Sequence, residues 1–65
     1  MPVYRFCFMD AQDHVVSSEE IELNSLIDAM ARAHILIKMR PHHPAVEVRL
    51  GNRVAYRAQR DRIAA

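Results

Sequence analysis

At 65 residues, with 26% charged side chains and a net charge of +1, the chain is a single domain, and a domain of this size hides only about 60% of the surface its unfolded form exposes. Its lone cysteine, Cys7, excludes an internal disulfide and suits a reducing compartment, and its lone glycine, Gly51, excludes a glycine-rich phosphate cradle. No stretch approaches the roughly 20 apolar residues of a membrane-spanning helix, and the start Met1-Pro2-Val3-Tyr4-Arg5-Phe6 lacks the basic-then-apolar plan of a secretory signal, so a cytoplasmic protein is expected.

Residues 3 to 9 alternate Tyr4, Phe6 and Phe8 with Val3, Arg5, Cys7 and Met9, the period-2 pattern of a strand with an aromatic core face. Asp10-Ala11-Gln12-Asp13 reads as a polar turn. Val15 and Val16 restart an extended segment that runs through Ile21 and Leu23, with an irregularity expected at Ser17 and Ser18, so the first two strands form a hairpin.

The helix follows. Ser25 is the expected N-cap, and Asp28, three residues on, favours the positive end of the helix dipole. Pro41 and Pro44 bracket His42 and His43 and stop the helix near Arg40, so it spans about 25–40. Leu26, Ala29, Met30, Ala33, Leu36 and Ile37 form one broad apolar stripe, and Ile27, Ala31, Ile35 and Met39 form a second row up the back. A chain this short has no element left to cover that second row, which points to a second copy or another protein.

Beyond the prolines, Val46, Val48 and Leu50 alternate with Glu47 and Arg49, and Val54 and Tyr56 with Ala55 and Arg57, around a reversal at Gly51-Asn52. A strict two-residue loop pairs Leu50 with Arg53 and mixes apolar with charged faces. A three-residue loop or a bulge at Arg53 instead pairs Leu50 with Val54, Val48 with Tyr56 and Glu47 with Arg57, and is preferred. Residues 1–58 then form one domain and 59–65 a flexible C-terminal tail with little to bury.

A right-handed crossover through the helix lets the first strand lie between the second and third. The expected fold is therefore α+β, ββαββ, with a four-stranded antiparallel sheet of order 2-1-3-4 and the helix on one face. Tyr4, Phe6, Phe8, Val46, Val48, Leu50, Val54 and Tyr56 are expected to meet the first helical stripe.

The opening Met1-Pro2-x-Tyr4-x-Phe6, the Glu19-Glu20-Ile21-Glu22-Leu23 run before a helix carrying Leu26 and spaced alanines, and the closing Val46-Glu47-Val48 with Gly51-x-Arg53-Val54 resemble a family of short uncharacterised bacterial proteins, a domain of unknown function. The chain departs from that family's pattern at Cys7, where a histidine is frequent, and at Glu20, where a glycine is frequent. The resemblance implies a small α+β domain of this strand order and carries over no activity or site residue. A weaker likeness in strand-strand-helix order, to the small domains of HicB-type antitoxins, implies binding to another protein.

Catalytic and metal chemistry find little support in the spacing. His42 and His43 are adjacent, His14 lies in the first turn, and no CxxC or HExxH completes a ligand set, so no metal or cofactor is expected. Cys7 sits mid-strand without a helix N-terminus or histidine beside it in sequence to lower its pKa, and Glu19, Glu20 and Glu22 read as solvated acids. The expected function is a non-enzymatic oligomerisation or protein-binding module, a homodimer whose interface is Ile27, Ala31, Ile35 and Met39 with His34 and Lys38 at the rim. A second possible dimer joins sheets through Val3, Cys7 and Met9. The alternative function is nucleic-acid binding through a sheet face bearing Arg5, Arg49, Arg53 and Arg57, although the aromatics that single-strand readers use for stacking alternate onto the other face.

Overall fold

The computed structural model describes residues 2–60 of the chain. Strands β1 (Val3–Met9) and β2 (Val15–Glu22), helix α1 (Leu26–Met39), and strands β3 (Ala45–Leu50) and β4 (Arg53–Gln59) follow one another in that order. The sheet is antiparallel and ordered β2-β1-β3-β4, as the alternation and the crossover rule require. The helix lies on one face, over β3 and β4.

Both hairpins owe their register to one backbone position at positive φ. In the first, Asp13 adopts φ 63°, and Asp10 holds the turn together: its Oδ1 accepts from the backbone N–H of Gln12 at 2.9 Å and of His14 at 2.8 Å. Short polar side chains tolerate this left-handed conformation and bond their own backbone, which is why aspartates occupy both places. Phe8 pairs with Ser17 but Met9 with Val15, so the extra residue is Val16, just ahead of the serines where the irregularity is expected.

The second hairpin corrects the expected pairing. Gly51 takes φ 61° and is the only residue of the Gly51-Asn52 loop at positive φ, the requirement of a tight loop with glycine first. Leu50 therefore pairs with Arg53 and Arg49 with Val54. The conflict between faces is relieved further along, where Ala55 is left out of the ladder and Val48 meets Tyr56 and Glu47 meets Arg57 as expected. The bulge thus lies at Ala55 rather than Arg53. Val54 turns to the side of Arg49, away from the helix, and is 55% exposed; Leu50 at the hairpin tip is also exposed.

Under the helix, Tyr4, Phe6, Phe8, Val46, Val48 and Ala58 pack with Ala29, Ala33, Leu36 and Ile37. The two alanines are fully buried and let the helix approach the sheet closely, while Leu26 at the first turn stays partly exposed. Ser25 caps the N-terminus as expected, its Oγ accepting from the Asp28 N–H at 3.4 Å. At the other end Arg40 does three things. Its N–H bonds the Leu36 carbonyl at 3.0 Å, its guanidinium lies 4.5 Å over the Phe8 ring, and it pairs with Glu19 of β2.

The chain beyond Ala58 is better anchored than its composition predicts. β4 continues to Gln59, and Arg60 donates its N–H to the Pro44 carbonyl at 2.9 Å. The Arg60 guanidinium reaches back to the carbonyls of Ile37, Arg40 (3.2 Å) and His43 (3.4 Å), where a cation complements the negative end of the helix. The remainder of the expected tail, 61–65, lies outside the described residues.

Candidate interaction surface

The second helical row is bare. Ile27 is 76% exposed, Ile35 52% and Met39 70%, with exposed Ala31 between the two isoleucines. Spaced four residues apart, they make a single i±4n ridge along the side of α1 that faces away from the sheet, the kind of ridge that packs into the groove of another helix. The sequence placed every member of this row correctly, because the 3.6-residue period fixes the face once Ala29, Ala33, Leu36 and Ile37 are buried.

His34 and Lys38 stand on the flank of the ridge that faces β4. The Nε2 of His34 lies 2.6 Å from the Tyr56 hydroxyl, and the two rings are 5.7 Å apart, so the imidazole is held toward the sheet. Lys38 is exposed and makes no ion pair among the described residues. Between these side chains and β4 runs an open groove of about 520 Å³, floored by the buried Ile37 and Ala58 and lined also by Arg60. Tyr56 and Arg60 are the members of this surface that the sequence did not reveal. Tyr56 reads as plain core by alternation, and the signal for Arg60, a cation placed to meet a helix end after the chain reverses, depends on the three-dimensional return of β4.

On the opposite face of the sheet the arginines are neutralised. Arg5 pairs with Glu20 at 3.1 Å. Glu47 accepts from Arg49 at 2.8 Å through one carboxylate oxygen and from Arg57 at 3.1 Å through the other, and Arg57 also donates to Asp13 at 2.5 Å. Hydrogen bonding to Asp13, ahead of the charge of Glu47, holds the Arg57 pKa above its ordinary value, and bonding to Glu47 does the same for Arg49. Arg53 does not share this face: its pairing with Leu50 puts it on the helix side at the hairpin tip, because the bulge at Ala55 shifts the alternation. The expected set of four arginines is thus reduced to Arg5, Arg49 and Arg57, each tied to a carboxylate.

Beneath that charged layer Cys7, Met9 and Ala45 form a small second core, with Cys7 1% and Met9 3% exposed. A sheet-to-sheet contact through Val3, Cys7 and Met9 is therefore left with Val3 alone at the surface. The histidines do not converge. His14 sits beside Asp10, His43 packs on Phe8 and His42 is exposed, and among the described residues no group of three or more His, Cys, Asp or Glu side chains is placed to hold a metal ion. No helix of the described residues is long and apolar enough to cross a membrane.

Comparison with known proteins returns no matching family model, no matching curated protein and no matching solved structure.

Proposed function

We propose that this protein is a non-enzymatic association module of the cytoplasm, a homodimer joined through Ile27, Ala31, Ile35 and Met39 of α1 with His34 and Lys38 at the rim. The observation that carries the reading is the exposure of three large apolar side chains in line on the helix, 76%, 52% and 70%, in a chain with little core to spare. Full burial of such side chains contributes about 1.5–3 kcal/mol each, reduced here in proportion to the surface already covered. Association costs about 4–15 kcal/mol in lost translational and rotational freedom. The two ridges together are comparable with that cost, so the expected dimer is a modest one that dissociates on dilution. A two-fold contact uses the same ridge from both copies, which suits a continuous row better than a scattered patch.

Static light scattering after size exclusion, over a dilution series, tests this. The expected mass is that of two chains at high concentration, falling toward one chain on dilution. Ile35→Asp is expected to give one chain throughout, because it would bury an unpaired charge at the contact. A wild-type chain that stays monomeric at all concentrations, or an Ile35→Asp variant that still dimerises, would overturn the proposal.

A further inference from the structure

The open groove between α1 and β4 has one wall made of backbone. β4 is the last strand of the sheet, so nothing pairs with its outer edge among the described residues. The Arg60 N–H bonds Pro44 across β3, and amide directions alternate along a strand, so the N–H and C=O groups of Arg57 and Gln59 point outward, into the groove that these residues line. The facing wall is α1 with His34 and Lys38, and the floor is apolar, Ile37 and Ala58. A free strand edge beside a helix, over an apolar floor, is the arrangement in which an extended peptide adds as a further strand.

Charge selects the occupant. The described residues lining the groove include Lys38, Arg57 and Arg60 and no carboxylate. Arg57 is committed to Asp13 and Glu47, but Lys38 has no ion-pair partner among the described residues, and Arg60 uses only one nitrogen, Nη2, for the carbonyls of Ile37, Arg40 and His43. Arg53, at the start of the same strand, is also exposed. A second copy presenting its own β4 would set these arginines against themselves. The other open edge, β2, carries Glu19, Glu20 and Glu22 and repels acidic strands. The bulge at Ala55 limits regular pairing to Tyr56–Gln59, so the added strand is short.

The geometry points to the α1–β4 groove as a docking site for an extended acidic peptide segment of another protein, which joins β4 through the backbone of Arg57 and Gln59 and sets a carboxylate against Lys38 and Arg60. This goes beyond the helix-row dimer and does not rest on it. The two surfaces lie on different flanks of α1 and share only His34 and Lys38.

A random heptapeptide display library, selected on the full chain, with the enriched peptides then measured on both the full chain and Gln59→Pro, tests the proposal. Proline at Gln59 removes an outward N–H and blocks strand addition without removing a β3–β4 bond. The expected enriched peptides carry Asp or Glu among β-branched residues. Titrated with a synthetic enriched peptide, the protein is expected to show saturating amide NMR shifts at Arg57, Gln59 and Lys38, with slowed hydrogen exchange at Arg57 and Gln59. Lys38→Glu is expected to weaken binding roughly threefold to tenfold, the range of an exposed charge reversed at a rim. Repeating the titration with Ile35→Asp separates the two surfaces, since that variant loses the proposed dimer contact and keeps the groove. Enrichment of basic peptides, equal binding by Gln59→Pro, shifts confined to β2 or to the helix row, or no enrichment on the wild-type chain would overturn it. So would binding satisfied only by the β2 sequence of a second copy, seen as masses that grow beyond two chains.

Discussion

Glu47 stands directly across the β1–β3 ladder from Cys7, and both lie on the face of the sheet that the helix does not cover. That neighbour explains why a cysteine on an uncovered face is 1% exposed. The Glu47 side chain is 12% exposed and its carboxylate is clamped by Arg49 and Arg57, so these long side chains help to cover the small core of Cys7, Met9 and Ala45.

Replacing Glu47 by Ala should therefore do two things at once. It leaves two partly exposed arginines without their shared acceptor, costing about 1 kcal/mol of stability, and it uncovers the thiol. The expected outcome is a lower denaturation midpoint and a several-fold faster alkylation of Cys7 by iodoacetamide under native conditions. Glu47→Gln keeps the shape and should show a smaller change in both. An alkylation rate unchanged in Glu47→Ala would mean that the backbone alone, and not the ion-pair layer, shields Cys7.

Asp10 sets an acid limit on the first hairpin. The backbone N–H of His14 above all holds its carboxyl below the usual carboxylate range; desolvation opposes this as the next largest effect, and the backbone N–H of Gln12 and the nearby imidazole add to the lowering. A depressed folded-state pKa contributes stability that is present above the unfolded value, about pH 4, and is lost as pH falls through the lower folded value. Asp10→Asn is expected to flatten the part of the stability profile below about pH 4 and leave the profile's shape near neutrality unchanged. Unfolding followed by circular dichroism across that acid range checks it, and an identical acid slope in the variant would remove Asp10 from the account.

Gly51 is required by its backbone rather than by crowding. A Cβ built there meets no heavy atom within 4 Å, yet φ is 61°. Gly51→Ala is expected to cost about 1 kcal/mol, read as a lower midpoint with an unchanged denaturant slope. Gly51→Asn should recover part of the loss because asparagine tolerates the left-handed region. Equal stability of the alanine variant would show that the loop relaxes to a different turn.

The positions legible in sequence and those that were not divide along a physical line. Ser25, Pro41 and the two helical rows follow from local chemistry and the 3.6-residue period, and strand order follows from alternation plus the handedness of the crossover. The omitted residues Val16 and Ala55 do not, because a turn at positive φ fixes where pairing starts and the ladder then drops whichever residue restores the faces. Alternation put Cys7 and Met9 on the outer face but was silent on their burial, which depends on side chains reaching across from other strands. His34 was placed beside the apolar row, yet its bond to Tyr56, 22 residues away, required the return of β4 to the helix.

The two faces of α1 make a sharp contrast between alanines two positions apart. Ala33 is fully buried against the sheet, whereas Ala31 lies exposed in the outward ridge. Leucine at Ala33 forces extra methylenes into a close helix–sheet contact and should cost about 1–3 kcal/mol. Leucine at Ala31 meets only solvent in the single chain, and leucine is nearly as good a helix former as alanine, so its effect should stay within about 0.5 kcal/mol. Denaturation of both variants at a concentration dilute enough to keep the chain monomeric gives the comparison. At higher concentration Ala31→Leu fills the middle of the ridge and should change the dissociation midpoint of the proposed dimer in light scattering, while Ala33→Leu should act on that midpoint only through the stability of the fold. If the two alanines proved interchangeable in denaturation, the orientation of the helix on the sheet, and with it the exposed ridge, would be wrong.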